Sequence, residues 1–192
     1  TKVVHFHAEK VHDFTWAADP TFVVEDTTLG DIKLYSVYRR ESAKTWEDST
    51  LAHLVRAVQY LAERLLAGGV PMVEPAGGHA VYLDARRLLK HIPPLQYPGQ
   101  ALAVELYRAG GIRGCEIGTV MFGRHPDGTE TEGPMDLVRL AIPRRTYTQS
   151  HVDYVIEVAR DVAARAASLR GYRIVKEPAQ LRHFTATFAP LG

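Results

Sequence analysis

Arg139 lies within Leu137-Val138-Arg139-Leu140-Ala141-Ile142, a run that reads as a strand. Side chains alternate along a strand, so Val138, Leu140 and Ile142 turn to the core while Arg139 turns the other way with Leu137 and Ala141. A guanidinium fixed on a rigid strand suits planar, two-point capture of a carboxylate. The alternative is an ion pair with Asp136 or Glu116. His183, in Leu181-Arg182-His183-Phe184-Thr185-Ala186, carries an imidazole, the side chain type best suited to relaying or positioning a proton; its alternative is a tail histidine packed on the sheet. Ile117 reads as strand core. His5 and His7 share one strand face with Glu9 and His12 close behind, a set of zinc-type donors. The His-Glu-x-x-His pair that puts two ligands and a base on one helix turn is absent from the chain, so no metal is expected. Gly77-Gly78-His79 could offer backbone amides to phosphate. No helix starts immediately after it, which favours a tight strand-to-strand turn and gives His79 no catalytic role.

The elements that must hold these residues follow from periodicity. Val3 to His7, Phe22 to Val24 and Ile32 to Tyr38 have strand character, with turns at Asp19-Pro20 and Leu29-Gly30-Asp31. From about Thr50, Leu51, Leu54, Val55, Val58, Leu61, Leu65 and Leu66 recur at helical spacing until Gly68-Gly69, with Asp48 or Ser49 as cap. Pro71 to Glu74 and Ala80 to Leu83 read as a strand pair. Ala85 to Lys90 reads as a short helix before Pro93-Pro94, and Gln100 to Arg108 as a helix ended by Gly110-Gly111. Cys115 to Met121 and Leu137 to Ile142 read as strands around a polar loop, His125 to Pro134. Thr148 opens the expected longest helix, with Val152, Val155, Ile156, Ala159, Val162, Ala163 and Ala166 as its apolar stripe. Tyr172 to Glu177 is a last strand before a tail around Phe184. The pattern is α+β: a small, mostly antiparallel sheet with helices packed on one side, plus N-terminal β-strands, divided into residues 1–48 and 49–192.

Bulk properties narrow the function classes. With 46% hydrophobic and 23% charged residues over 192 positions, the chain can bury a core. A net charge of +1 makes no electrostatic case for nucleic acid or an anionic membrane. One cysteine, no apolar run long enough for a bilayer and no signal-peptide start at Thr1-Lys2 point to a soluble chain in a reducing cytoplasm.

Several motifs carry a resemblance. Pro75-Ala76-Gly77-Gly78-His79-Ala80-Val81-Tyr82-Leu83-Asp84-Ala85 leads, followed by Gly111-Ile112-Arg113-Gly114-Cys115-Glu116-Ile117-Gly118 and Arg139-Leu140-Ala141-Ile142-Pro143-Arg144-Arg145-Thr146-Tyr147-Thr148-Gln149. With the Leu181 to Ala186 run, these resemble, in order and spacing from about Val70 onward, the C-terminal small domain of the pyridoxal-phosphate β-eliminating lyases, tryptophanase and tyrosine phenol-lyase. The resemblance implies that Arg139 binds the substrate α-carboxylate and that His183 lines the side-chain pocket, where phenol-lyases carry an aromatic residue. It also implies an indole-type pocket at Ile117, where phenol-lyases place an arginine. Separately, Val4-His5-Phe6-His7-Ala8-Glu9-Lys10-Val11-His12-Asp13-Phe14-Thr15-Trp16-Ala17-Ala18-Asp19-Pro20 and Glu41 to Trp46 resemble a β-rich segment of the M1 zinc aminopeptidases.

These resemblances set expectations. The chain is a chimera or truncation whose two parts meet between Leu51 and Gln59, with the N-terminal strands covering surface that a large lyase domain would bury. A pyridoxal-phosphate enzyme needs a lysine that holds the cofactor covalently. Lys2, Lys10, Lys33, Lys44, Lys90 and Lys176 all lack the family's Ser- and Lys-rich context. No cofactor is therefore expected on the chain alone and no β-elimination by it, so no residue is assigned a catalytic role. The expected partners are a second copy or a lyase large domain supplied in trans, with an amino-acid substrate once the pocket is completed. The alternatives are a folded chimeric or engineered module without ligand and, behind it, a zinc aminopeptidase fragment.

Overall fold

The computed structural model describes residues 18–29, 31–46, 50–143, 146–178 and 181–192. Its first element pair is an antiparallel hairpin, β1 (Phe22–Leu29) and β2 (Ile32–Arg39), in which Val24 faces Val37 and Asp26 faces Tyr35. Alternation decides its faces. Leu34, Ser36 and Tyr38 are buried, while Val24, Tyr35 and Val37 on the opposite face are exposed. A short helix α1 (Ala43–Trp46) follows, and Trp46 stacks on Tyr38 at 5.6 Å between ring centroids. The hairpin lies against α2 (Thr50–Ala67). The strand expected at Val3 to His7, the helix cap at Asp48 or Ser49, and the histidine cluster His5, His7, Glu9 and His12 lie outside the described residues.

The core forms where α2 meets α6 (Gln149–Ala164) over a three-stranded sheet. From α2 it takes Val58, Leu61, Ala62 and Leu65; from α6 it takes Val152, Ile156, Val158, Ala159 and Val162. Each stripe has the i, i+3, i+4 spacing that buries one face of a helix. Leu66, expected in the first stripe, is exposed, and Val158 is a core residue outside the second expected stripe. The Tyr60 hydroxyl donates to Asp153 Oδ1 at 2.7 Å and ties the two helices together. At 18 residues α2 is longer than α6 at 16, reversing the expected order.

The sheet has antiparallel order β3-β5-β4, with β3 (Ala80–Asp84), β4 (Cys115–Ile117) and β5 (Leu137–Ala141). The expected partner of β3, Pro71 to Glu74, makes only the bridge Met72–Leu83, because Pro71 and Pro75 have no N–H to donate to a ladder. Gly77-Gly78-His79 is the expected tight turn: Gly77 bridges Ala80, and Gly78 at φ 74° takes a conformation that side chains disfavour. After β3, α3 (Ala85–Leu88) is capped by Asp84, whose Oδ1 accepts from the Arg87 amide. The next helix, α4 (Pro98–Gly110), ends at Gly111 with φ 67°.

The strand expected over Cys115 to Met121 stops at Ile117, and α5 (Thr119–Phe122) begins. Two carboxylates cause the change: Asp136 Oδ1 accepts from the Thr119 amide at 2.9 Å, and Glu116 Oε1 accepts from the Val120 amide at 3.4 Å. They satisfy amides that a starting helix leaves free. The tail adds β6 (Tyr172–Lys176), α7 (Arg182–Thr185) and β7 (Thr187–Pro190), with β7 antiparallel to β6. The architecture is the expected α+β mixture, divided among three small antiparallel sheets in the described residues. Among the described residues no helix is long and apolar enough to cross a membrane.

Candidate substrate-carboxylate site

Arg139 sits at the centre of β5, directly opposite Tyr82 on β3 and Cys115 on β4. Directly paired residues share a face, so Tyr82, Arg139 and Cys115 form one row across the sheet, with Leu137 and Ile117 in the next row. The opposite face carries Val81, Leu83, Val138 and Leu140, all buried. The ion pairs suggested for Arg139 are not made. Asp136 is fully buried and taken by Arg86, whose Nε and Nη2 donate to Oδ2 at 2.9 and 2.6 Å. Glu116 is paired in register with Val138 and so projects from the other face. Among the described residues, Arg139 Nε is buried and has no hydrogen-bond acceptor. An unpaired buried donor of this kind costs about 1–3 kcal/mol unless a ligand supplies the acceptor.

Beyond β4, an edge strand, an open cleft of about 640 Å³ lies between α4 and α7. Its lining includes Val104, Tyr107, Arg113, Cys115, Glu116, His183 and Phe184. Cys115 is the link between the two halves of the site, since it faces Arg139 across the sheet and shares the cleft with His183. Ile117 stands two residues along the same strand. The structure therefore puts Arg139 and Ile117 on one sheet face and His183 on the adjoining cleft.

Glu116 was expected only as a possible ion-pair partner of Arg139. Burial pushes its carboxyl up to about 8, with the neighbouring Asp136 charge adding to the shift; the amides of Val120 and Gly118 and the Arg182 charge oppose it. Its Oε2 is buried without a partner. Close approach fixes this spot, since a Cβ on Gly118 would lie 2.6 Å from Asp136 Oδ1 and 2.8 Å from Glu116 Oε1. The legible signal was a carboxylate at a core-facing position of a strand.

The lysines test whether a pyridoxal-phosphate anchor is present. Lys33, Lys44, Lys90 and Lys176 are all exposed, and none lines the cleft that holds Cys115 and His183. A lysine that holds this cofactor needs a sheltered site that lowers its affinity for protons. The described lysines do not fit. Nor do the described residues contain a group of three histidine, cysteine or acidic side chains that could hold a metal ion.

Comparison with known proteins supplies the parentage. The family model of the β-eliminating lyases matches residues 19–158. The chain belongs to that family. The tryptophanase of Hyphomonas neptunium is 66% identical over 145 residues, which are 76% of this chain and 32% of that protein. The tryptophanase of Rhodobacter capsulatus is 62% identical over the same shares. The tyrosine phenol-lyase of Symbiobacterium thermophilum is 48% identical over 147 residues, again 76% and 32%. The chain thus spans about a third of the length of these curated relatives. Its family match runs through α2 and back to residue 19, inside the aminopeptidase-like stretch, and gives no support to a change of parentage within that helix.

Proposed function

We propose that this chain is the substrate-carboxylate-binding part of a tryptophanase-like lyase and does not catalyse β-elimination by itself. The observation that carries the reading is Arg139, whose buried Nε lacks an acceptor and whose sheet face it shares with Cys115 and Ile117. A carboxylate placed there would receive a charge-assisted hydrogen bond. Ile117 would give an apolar wall that suits an indole better than a phenolic oxygen, and His183 would close the side-chain end from the cleft. Pyridoxal phosphate, the parent family's cofactor, supplies the electron sink for such reactions. The exposed lysines do not suit it, so no step is assigned to it on this chain.

Titration with pyridoxal phosphate, borohydride trapping and peptide mass spectrometry test the inactivity. Scattered labelling of exposed lysines without indole release from tryptophan is the expected result. One specific adduct with indole release would overturn it. The aminopeptidase ancestry of residues 4–46, and with it a composite chain, rests on the Trp16-Ala17-Ala18-Asp19-Pro20 motif. Sequencing the surrounding gene checks it: continuous lyase coding sequence upstream of residue 19 would end that reading. A cytoplasmic site of action follows from the same proposal and is checked by cell fractionation.

A further inference from the structure

We propose that Arg182 is a positioning residue that fixes His183 over the cleft by clamping α7 to α5. This inference rests on the proposed substrate site and adds to it a residue that touches neither substrate nor cofactor. Helix α7 has four residues, and Arg182 is its only buried one. Leu181 before it and Phe184 within it are 65% and 72% exposed. So short a helix has little stability of its own, and its placement depends on tertiary contacts. Arg182 makes those contacts. Its Nε donates to the Val120 carbonyl at 2.7 Å and its Nη2 to the Thr119 carbonyl at 3.1 Å. The same Nη2 donates to Glu130 Oε1 at 2.6 Å, and Nη1 donates to Glu177 Oε2 at 3.0 Å.

Two of these acceptors are backbone atoms of α5, which begins at Thr119, two residues after β4 ends at Ile117. The guanidinium therefore sets α7 relative to β4, and with it His183 relative to Cys115 and Ile117. Burial alone works against the guanidinium's charge, but Glu130 and Glu177 more than offset this and hold it charged. Both carboxylates are themselves fixed, Glu130 by the Tyr97 hydroxyl at 2.8 Å and Glu177 by Arg124 at 2.6 Å. Planar geometry matters here, because a lysine ammonium cannot reach carbonyls and carboxylates on several sides at once.

Cys115 is the chain's one cysteine and shares the cleft with His183, so a nitroxide attached there reports the distance directly. In the native chain, the amide signals of residues 182–185 and those of Gln100 and Ala103 on α4 should all be broadened by the label. Arg182→Gln should restore the 182–185 signals while the α4 signals stay broadened, and Arg182→Lys should restore them partly. On unlabelled protein, Arg182→Gln should weaken tryptophan binding about tenfold, the effect of losing one well-placed hydrogen bond. Unchanged broadening at 182–185 in a folded Arg182→Gln chain would overturn the proposal. Should that variant fail to fold, Glu130→Gln with Glu177→Gln retains Arg182 and its carbonyl acceptors. This pair should release α7 in part, and no release would equally overturn the proposal. Failure of the native chain to bind tryptophan would remove the substrate reading alone, since the broadening is measured without ligand.

Discussion

Arg182 and Arg139 are two arginines at one site in opposite states. Every guanidinium nitrogen of Arg182 donates to a carbonyl or a carboxylate, and 6% of the residue is exposed. Arg139 projects from the centre of a strand with a buried Nε that has no acceptor among the described residues. The difference separates two uses of the same side chain. A saturated guanidinium joins elements and has nothing left for a ligand. An unsaturated one weakens the fold slightly and keeps a donor ready for an incoming carboxylate. Arg86, whose Nε and Nη2 both donate to the buried Asp136, belongs with Arg182.

The comparison can be broken at the structural end first. Asp136→Ala removes the acceptor of Arg86 and of the Thr119 amide, and should destabilise the chain by about 3 kcal/mol in urea unfolding, as for other broken buried pairs. A loss below half of that would show that the polar joint is not structural. Next comes Glu116. Its folded-state carboxyl titrates near 8, above the unfolded value near 4.5, so the folded chain holds more protons between those limits. Stability should be greatest at the acid end of that window and fall as pH rises through 8, by an amount on the order of a few kcal/mol. Glu116→Gln should remove this slope in unfolding curves taken from pH 5 to 9. A slope that survives the substitution would place its origin elsewhere.

Arg139→Ala should behave in the opposite way from the joint. Its unfolding free energy should lie within about 1 kcal/mol of the native value, because no described partner is orphaned. A large loss would show Arg139 to be a structural residue like Arg182. The smallest effect expected is on selectivity: Ile117→Arg should favour tyrosine over tryptophan by a few-fold in competitive binding. No change would mean that Ile117 lies outside the side-chain pocket.

What could be read from the sequence divides along the same line. The stripes of α2 and α6, the core face of β5 and the Gly78 turn come from local periodicity and backbone preference, and they appear largely as expected. The end of β4 was not legible, because the cap that starts α5 comes partly from Asp136, 17 residues later in the chain. The tail was missed for the same reason. Arg182 fixes α7 through acceptors 52 to 63 residues away, and no local pattern announces such partners. Arg139 stood out as a charge on an otherwise apolar strand, and it was the family resemblance that favoured a carboxylate-binding role over an ion pair. Its lack of a partner needed the fold, since Asp136 and Glu116 are both engaged elsewhere.

The most direct measurement is an NMR titration of the native chain and Arg139→Ala with tryptophan and with indole. The account predicts that tryptophan shifts signals at Cys115, Ile117 and Arg139 in the native chain and loses this binding in Arg139→Ala, while indole is unaffected by the substitution. Equal tryptophan binding by both chains would contradict the assignment of Arg139 as the carboxylate holder.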